Sequence, residues 1–172
     1  MRRREFMLTA CALVPGALVG CVAGAEAPPA TGEMQAKSFE IMKTEEEWRK
    51  VLTPAQFRIL RGHGTERAGS SPLNGEHREG IYHCAGCDLP LYASSAKFES
   101  GTGWPSFTAP LNNAIGTSVD RSLFEVRTEV HCRRCGGHLG HVFDDGPRPI
   151  GKRYCMNGDA MTFKPATKER ER

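Results

Sequence analysis

Cys84-Ala85-Gly86-Cys87 and Cys132-Arg133-Arg134-Cys135 constrain the fold more than any other part of the chain. A Cys-x-x-Cys turn lets both thiolates of a pair face one point. Two such knuckles complete a tetrahedral four-cysteine shell, the usual structural zinc site. Gly86, Gly136 and Gly137 supply the tight turns that the knuckles need. The separation, residues 88–131, is wider than in a compact zinc ribbon. A metal held by Cys84, Cys87, Cys132 and Cys135 would therefore staple two parts of a larger sheet. The competing readings are a redox dithiol or two disulfides, and disulfides persist in an exported protein. A ring closed within one Cys-x-x-Cys pair is strained, however, and two redox centres of one kind in a small domain would be odd. The doubled spacing favours zinc. A closed four-cysteine shell leaves no position for a substrate, so the site is assigned to stability.

The texture around these knuckles is that of short strands. From Ile81 onward, β-like runs separated by turns are expected at Gly80–Cys84, Ser118–Phe124, Val126–Cys132, His141–Phe143, Arg153–Asn157 and Met161–Lys164. The 172 residues suffice for one domain with a core, and the 19 Gly and 11 Pro favour turns over a helical bundle. With 39% hydrophobic and 25% charged residues, the class is soluble and globular. Two short helices precede the strands. Thr44 with Glu47 is a capping-box pattern that starts a helix through Trp48 and Val51. Thr53-Pro54 with Gln56 repeats the signal, and Phe57, Ile59 and Leu60 give the second helix an apolar side. Residues 62–80 read as a long polar loop, and 166–172 as a charged tail.

Residues 1–21 read as an export signal. Arg2, Arg3 and Arg4 open it, and Arg3-Arg4-Glu5-Phe6-Met7-Leu8 resembles a twin-arginine motif. The apolar run from Leu8 to Gly20 is too short to span a bilayer as a stable helix. Leu18-Val19-Gly20-Cys21 resembles a bacterial lipobox, which implies a lipid on Cys21 and a membrane anchor in the bacterial envelope or periplasm. The other reading is an ordinary cleaved signal in which Cys21 is incidental. Residues 22–43 read as a flexible tether, whose irregular part would span about 20–25 Å as a coil. The net charge is +3, and removing Arg2, Arg3, Arg4 and Glu5 leaves a near-neutral chain. That balance gives no electrostatic case for nucleic acid.

One thiol has no place in these assignments. Of seven cysteines, Cys11 and Cys21 lie in the signal and four form the knuckles, which leaves Cys155. It sits in Arg153-Tyr154-Cys155-Met156-Asn157. Two other stretches are as dense in chemistry: Phe98-Glu99-Ser100-Gly101-Thr102-Gly103-Trp104-Pro105-Ser106-Phe107, and Cys135-Gly136-Gly137-His138-Leu139-Gly140-His141-Val142-Phe143-Asp144-Asp145-Gly146-Pro147. Together they resemble the methionine-R-sulfoxide reductases (MsrB) in their zinc-containing form, over about residues 44–165. The resemblance implies a mainly β fold, two antiparallel sheets with the active site on one face and zinc on the far side. It implies that the Cys155 thiolate attacks the sulfur of methionine R-sulfoxide in oxidised proteins, giving methionine and a sulfenic acid. His138 and His141 match the paired histidines that orient the oxygen and assist proton transfer. Asp145 and Arg153 match a polar network beneath them, Asn157 a geometry-fixing amide, and Trp104 the indole against the S-methyl group.

The bare chemistry is compatible with these roles. A thiol needs cationic or hydrogen-bonding neighbours to act as a nucleophile, and a sulfoxide oxygen leaves only when protonated. Taken singly, each residue also has an ordinary reading. His138 could be a satisfied structural histidine, Trp104 turn packing, Asp145 a turn former, Arg153 a solvated charge, and Cys155 an inert buried thiol. The chain departs from the family in one respect. Many members carry a resolving cysteine where this sequence has Thr102. A hydroxyl cannot condense with a sulfenic acid to a disulfide. Cys155 is then expected to be reset by an external thiol donor, thioredoxin-like or other. The alternatives are that a knuckle cysteine resolves, or that the domain is a non-catalytic, zinc-stapled methionine-binding module. An envelope location would make the role repair of methionines under oxidative stress.

Overall fold

Among the described residues, nine short strands, all paired antiparallel, carry the domain as two sheets. The computed structural model describes residues 38–122 and 125–167. The expected export signal, the tether up to residue 37, the end of the strand expected at Ser118–Phe124, and residues 168–172 of the tail lie outside these. Among the described residues, no helix is long and apolar enough to cross a membrane.

Helix α1 spans Glu45–Val51 and α2 spans Pro54–Leu60, each opened by the expected capping box. Thr44 Oγ1 accepts from Glu47 N–H, and Thr53 Oγ1 from Gln56 N–H, both at 3.2 Å. Such caps satisfy amide donors that have no partner inside the helix. Helix α1 buries Trp48, and the last turn of α2 buries Ile59 and Leu60. The chain is fixed before α1 begins. Ile41 N–H donates to Arg134 C=O at 3.0 Å, and the Phe39 ring meets His131 edge-on at 5.7 Å. The packed structure thus reaches back to Phe39, into the segment expected to be a tether through residue 43.

The strands are β1 Gly80–Cys84, β2 Pro90–Ala93, β3 Lys97–Phe98, β4 Ser106–Phe107, β5 Ile115–Asp120, β6 Arg127–Cys132, β7 His138–Phe143, β8 Arg153–Met156 and β9 Met161–Pro165. One sheet has the order β2-β1-β9, the other β3-β4-β8-β7-β6-β5. The fold is mainly β with two antiparallel sheets and two helices, as the sequence implied. Strand β5 begins three residues earlier than expected, and β7 reaches back to His138. Strands β2, β3 and β4 had no sequence signal, because two to four residues are too few for alternation to register.

The sheets meet through aromatic side chains. Phe107 of β4 stacks on Tyr92 of β2 at 4.3 Å and meets Tyr82 of β1 edge-on at 4.9 Å. Pairs of this kind add about 0.5–1.5 kcal/mol beyond the burial of their area. Tyr92 O–H also donates to Met156 Sδ at 3.2 Å, which gives its buried hydroxyl a partner. Side chains alternate along β8, so placing Met156 and Tyr154 inward turns Arg153 and Cys155 to the opposite face.

Candidate active site

Cross-strand register builds one row of side chains over this outer face. Ser118 of β5 stands opposite Glu129 of β6, Glu129 opposite His141 of β7, His141 opposite Cys155 of β8, and Cys155 opposite Ser106 of β4. Directly opposite residues share a face with their Cβ atoms about 4.5–5.5 Å apart. Cys155 is therefore flanked by an imidazole on one side and a hydroxyl on the other. Along the neighbouring row, Asp120 faces Arg127 and Phe143 faces Arg153.

His138 precedes His141 by three, which in a regular strand would put it on the other face. The β6–β7 register slips here: Val130 pairs with Gly140, but His131 pairs with His138, leaving Leu139 extra. This bulge returns His138 to the face of His141, and their rings meet edge-on at 5.3 Å. Asn157 fixes the bulge, since both its backbone N–H (2.8 Å) and its side-chain amide (3.1 Å) donate to Leu139 C=O. Gly140 is required at the crossing. A Cβ there would stand 2.1 Å from Cys155 C=O.

Each histidine has a carboxylate partner that local sequence could not reveal. His138 Nδ1–H donates to Glu129 Oε1, and His141 Nε2–H to Asp120 Oδ2, both at 2.7 Å. Burial pushes Glu129 up, but Ser118 and His138 donate to it and together hold it below its ordinary value. Asp120 is held well below the usual carboxylate range by Ser122, through its hydroxyl and then its amide, and by His141. Burial keeps His138 below its ordinary value despite Glu129, which favours the neutral ring.

Arg153 and Asp145, expected in a polar network beneath the histidines, bind one another. Arg153 Nε donates to Asp145 Oδ1 at 2.9 Å and Nη2 to Oδ2 at 2.8 Å, with the guanidinium over the Phe143 ring at 4.6 Å. Asp145 is held below its ordinary value by this pairing, and Arg153 is raised by it. For Cys155, burial pushes the thiol up. Thr102, Arg153 and Ser106 pull it down, but burial prevails. Burial thus disfavours the thiolate in the resting site.

A cleft of about 150 Å³ opens over Cys155, lined by Thr65, Trp104, Arg127, His141, Phe143, Cys155 and Asn157. Of the residues expected to act, it brings together Cys155, His141, Trp104 and Asn157. His138 stands behind His141 and lines a neighbouring recess instead. Thr65, Arg127 and Phe143 carried no separate signal, though Phe143 falls within the histidine stretch. Thr102 Oγ1 lies 3.9 Å from Cys155 Sγ. Glu66, also unforeseen, holds several parts in place. Its C=O accepts from Trp104 Nε1 at 3.2 Å, and its N–H donates to Asn157 Oδ1 at 3.0 Å. Its carboxylate accepts from Gly158 N–H and Asp159 N–H, both at 2.8 Å.

The knuckle cysteines converge, far from Cys155 in role. Cys84 and Cys135 Sγ are 3.7 Å apart, Cys87 and Cys132 Sγ 3.4 Å, and all four sulfurs lie within 4.8 Å of one another. A tetrahedral ion with bonds of about 2.3 Å to sulfur needs sulfurs about 3.8 Å apart. The donor set fits a metal ion. Knuckle β1 comes from one sheet and β6 from the other, so the cluster bridges them.

A profile of the SelR domain matches residues 52–165. The peptide methionine sulfoxide reductase MsrB of Pseudomonas entomophila (strain L48) is 53% identical over 127 residues, covering 73% of this chain and 97% of that protein. The MsrB of Agrobacterium fabrum (strain C58 / ATCC 33970) is 49% identical over 129 residues, 74% of this chain and 96% of that protein. That of Methanosarcina barkeri (strain Fusaro / DSM 804) is 52% identical over 125 residues, 72% of this chain and 88% of that protein.

Proposed function

The chain belongs to the SelR-domain, MsrB family, and from that premise we propose that it reduces methionine R-sulfoxide in proteins through Cys155. As a peptide-methionine (R)-S-oxide reductase it acts on oxidised protein substrates with a thiol reductant. The observation that supports the assignment of roles is the shared cleft, with Cys155, His141, Trp104 and Asn157 on one wall system. The indole packs on the S-methyl group, where an aromatic face suits a methyl beside a polarised sulfur. Cys155 Sγ attacks the sulfoxide sulfur. The S–O bond breaks as the oxygen takes up the one proton given up by the Cys155 thiol, relayed through His141, and passes to Sγ as hydroxyl, so that cysteine sulfenic acid and methionine form with atoms balanced. Asp120 accepts from His141 Nε2–H and fixes the ring for this relay. Binding of substrate places a polar S–O dipole beside Arg127 and His141, which offsets the burial that disfavours the thiolate.

Two equivalents of an external thiol then return the sulfenic acid to Cys155 thiol, releasing water and a disulfide. Thr102 beside Sγ offers no sulfur, so the donor comes from outside, a thioredoxin-like protein in the envelope. His138, Asp145 and Arg153 position the site: His138 braces His141, and the Arg153–Asp145 pair anchors β8. We further propose that Cys84, Cys87, Cys132 and Cys135 hold zinc, which ties the two sheets and takes no part in the chemistry. Residues 1–21 would direct export and Cys21 would carry the lipid, a reading supported by the Leu18–Cys21 stretch alone.

A single-turnover assay without reductant tests this. The R epimer should yield one methionine per chain with loss of one thiol, the S epimer none, and Cys155→Ser no product. Turnover surviving in Cys155→Ser, or a disulfide from Cys155 to a knuckle cysteine, would overturn it.

A further inference from the structure

The recess beside the cleft holds a second set of metal donors that the reductase chemistry does not use as such. His63, Glu129 and His138 each present one ligand atom, all within 4.8 Å of one another. His63 Nδ1 lies 3.0 Å and His138 Nδ1 2.7 Å from the same oxygen, Glu129 Oε1. Both rings thus aim one nitrogen at one point, with centroids 5.1 Å apart. We propose that His63, Glu129 and His138 form a low-affinity site for a divalent transition cation, and that filling it inhibits the enzyme.

Two imidazoles and a carboxylate suit zinc, cobalt, nickel or copper, and not calcium or magnesium, which want more oxygen ligands. The set is anchored on two sides. Glu129 Oε2 accepts from Ser118 Oγ at 2.6 Å, which fixes the carboxylate as an outer partner of a metal ligand would. His138 is 2% exposed and cannot swing away. The third donor is the adjustable one: His63 is 64% exposed and can close the last few tenths of an ångström while leaving room for water as further ligand. His63 also holds a left-handed backbone (φ 50°), an uncommon conformation for a residue other than glycine, and it turns the ring toward Glu129. Asp120 lines the same recess, against Arg121 and Arg127. These two cations, and the existing His–Glu hydrogen bonds that an ion must displace, set the affinity well below that of the four-cysteine site.

An ion on His138 stands one ring from His141, and with its water ligands it fills the recess that both histidines line, directly beside the cleft. The inhibitory half of the proposal rests on the role of His141 proposed above; the binding half does not.

The test titrates cobalt(II) into protein already loaded with zinc. One further equivalent should bind, with weak ligand-field bands, no thiolate charge-transfer band, and reversal by EDTA. His63→Asn tolerates the left-handed backbone and should weaken binding by about ten-fold or more. Glu129→Gln should weaken it as well. Single-turnover methionine formation, with no thiol present to chelate the ion, should fall with cobalt in the wild type and be spared in His63→Asn. Absence of a second equivalent, a thiolate band, or unchanged affinity in His63→Asn overturns the site. Binding without loss of turnover overturns the inhibition. A wild type that makes no methionine even without cobalt refutes the reductase reading and leaves the binding result standing.

Discussion

Glu66 is where a single change separates hydrogen bonding from buried charge. Its side chain is 3% exposed and accepts Gly158 N–H and Asp159 N–H, the turn directly after the Cys155 strand. Glu66→Ala leaves both donors buried without a partner. Each unmet donor costs about 1–3 kcal/mol, so the loss is about 4 kcal/mol. That is a large share of the roughly 5–15 kcal/mol that holds a domain folded. Glu66→Gln keeps the volume and one acceptor oxygen. It loses one bond but also removes a carboxylate whose ionisation burial opposes: desolvation raises Glu66 above its ordinary value, against the two amide donors that lower it. These effects have opposite signs, and Glu66→Gln should stay within about 1 kcal/mol of wild type at neutral pH.

The pH dependence has a definite sign. A carboxyl raised in the folded state stabilises fully below its unfolded value, 4.5, and loses that contribution as pH rises through the raised one. Glu66→Gln does not titrate there. Its stability relative to wild type should therefore improve from pH 4.5 upward. Urea unfolding followed by circular dichroism measures both effects, as a shift in midpoint at constant slope. Because the Glu66 backbone holds Trp104 and Asn157, the Ala variant should also raise KM for the sulfoxide more than it lowers kcat. A Gln variant as unstable as Ala, or one that loses ground as pH rises, would refute the reasoning.

Three further outcomes follow from the site. Thr102→Cys should place a thiol close enough to Cys155 to resolve the sulfenic acid, given the 3.9 Å between Oγ1 and Sγ; non-reducing peptide mapping after one turnover should find that disulfide. Gly140→Ala should cost about 1–3 kcal/mol, since its methyl meets Cys155 C=O, and should slow turnover by displacing β8; a variant with wild-type midpoint and rate contradicts this. Alkylation of Cys155 in the resting protein should still accelerate above pH 9, because burial raises the thiol above its ordinary value of 9.0; a rate that levels off below pH 7 means that Arg153 outweighs burial.

What the sequence disclosed and what it hid divide along a physical line. Features set within a few positions were legible: the two capping boxes and the paired knuckles whose four sulfurs converge. The short β-like runs pointed to a mainly β fold, the family resemblance implied two antiparallel sheets, and both hold. Partners chosen by strand register were not legible. Glu129 and Asp120 sit 9 and 21 residues from the histidines they bind, and only the pairing of β5, β6 and β7 aligns them. Asp145, nearer in sequence, was the natural candidate, yet it lies past the end of β7 and meets Arg153 instead. The histidine pair shows why spacing alone was ambiguous. Three residues apart suits a helix face or a metal motif as well as a strand. In this fold the spacing works because Leu139 bulges, and the bulge is held by Asn157, two residues beyond the nucleophile. Asn157 therefore links the strand that carries Cys155 to the spacing of the histidines beside it, through a carbonyl that no sequence pattern marks.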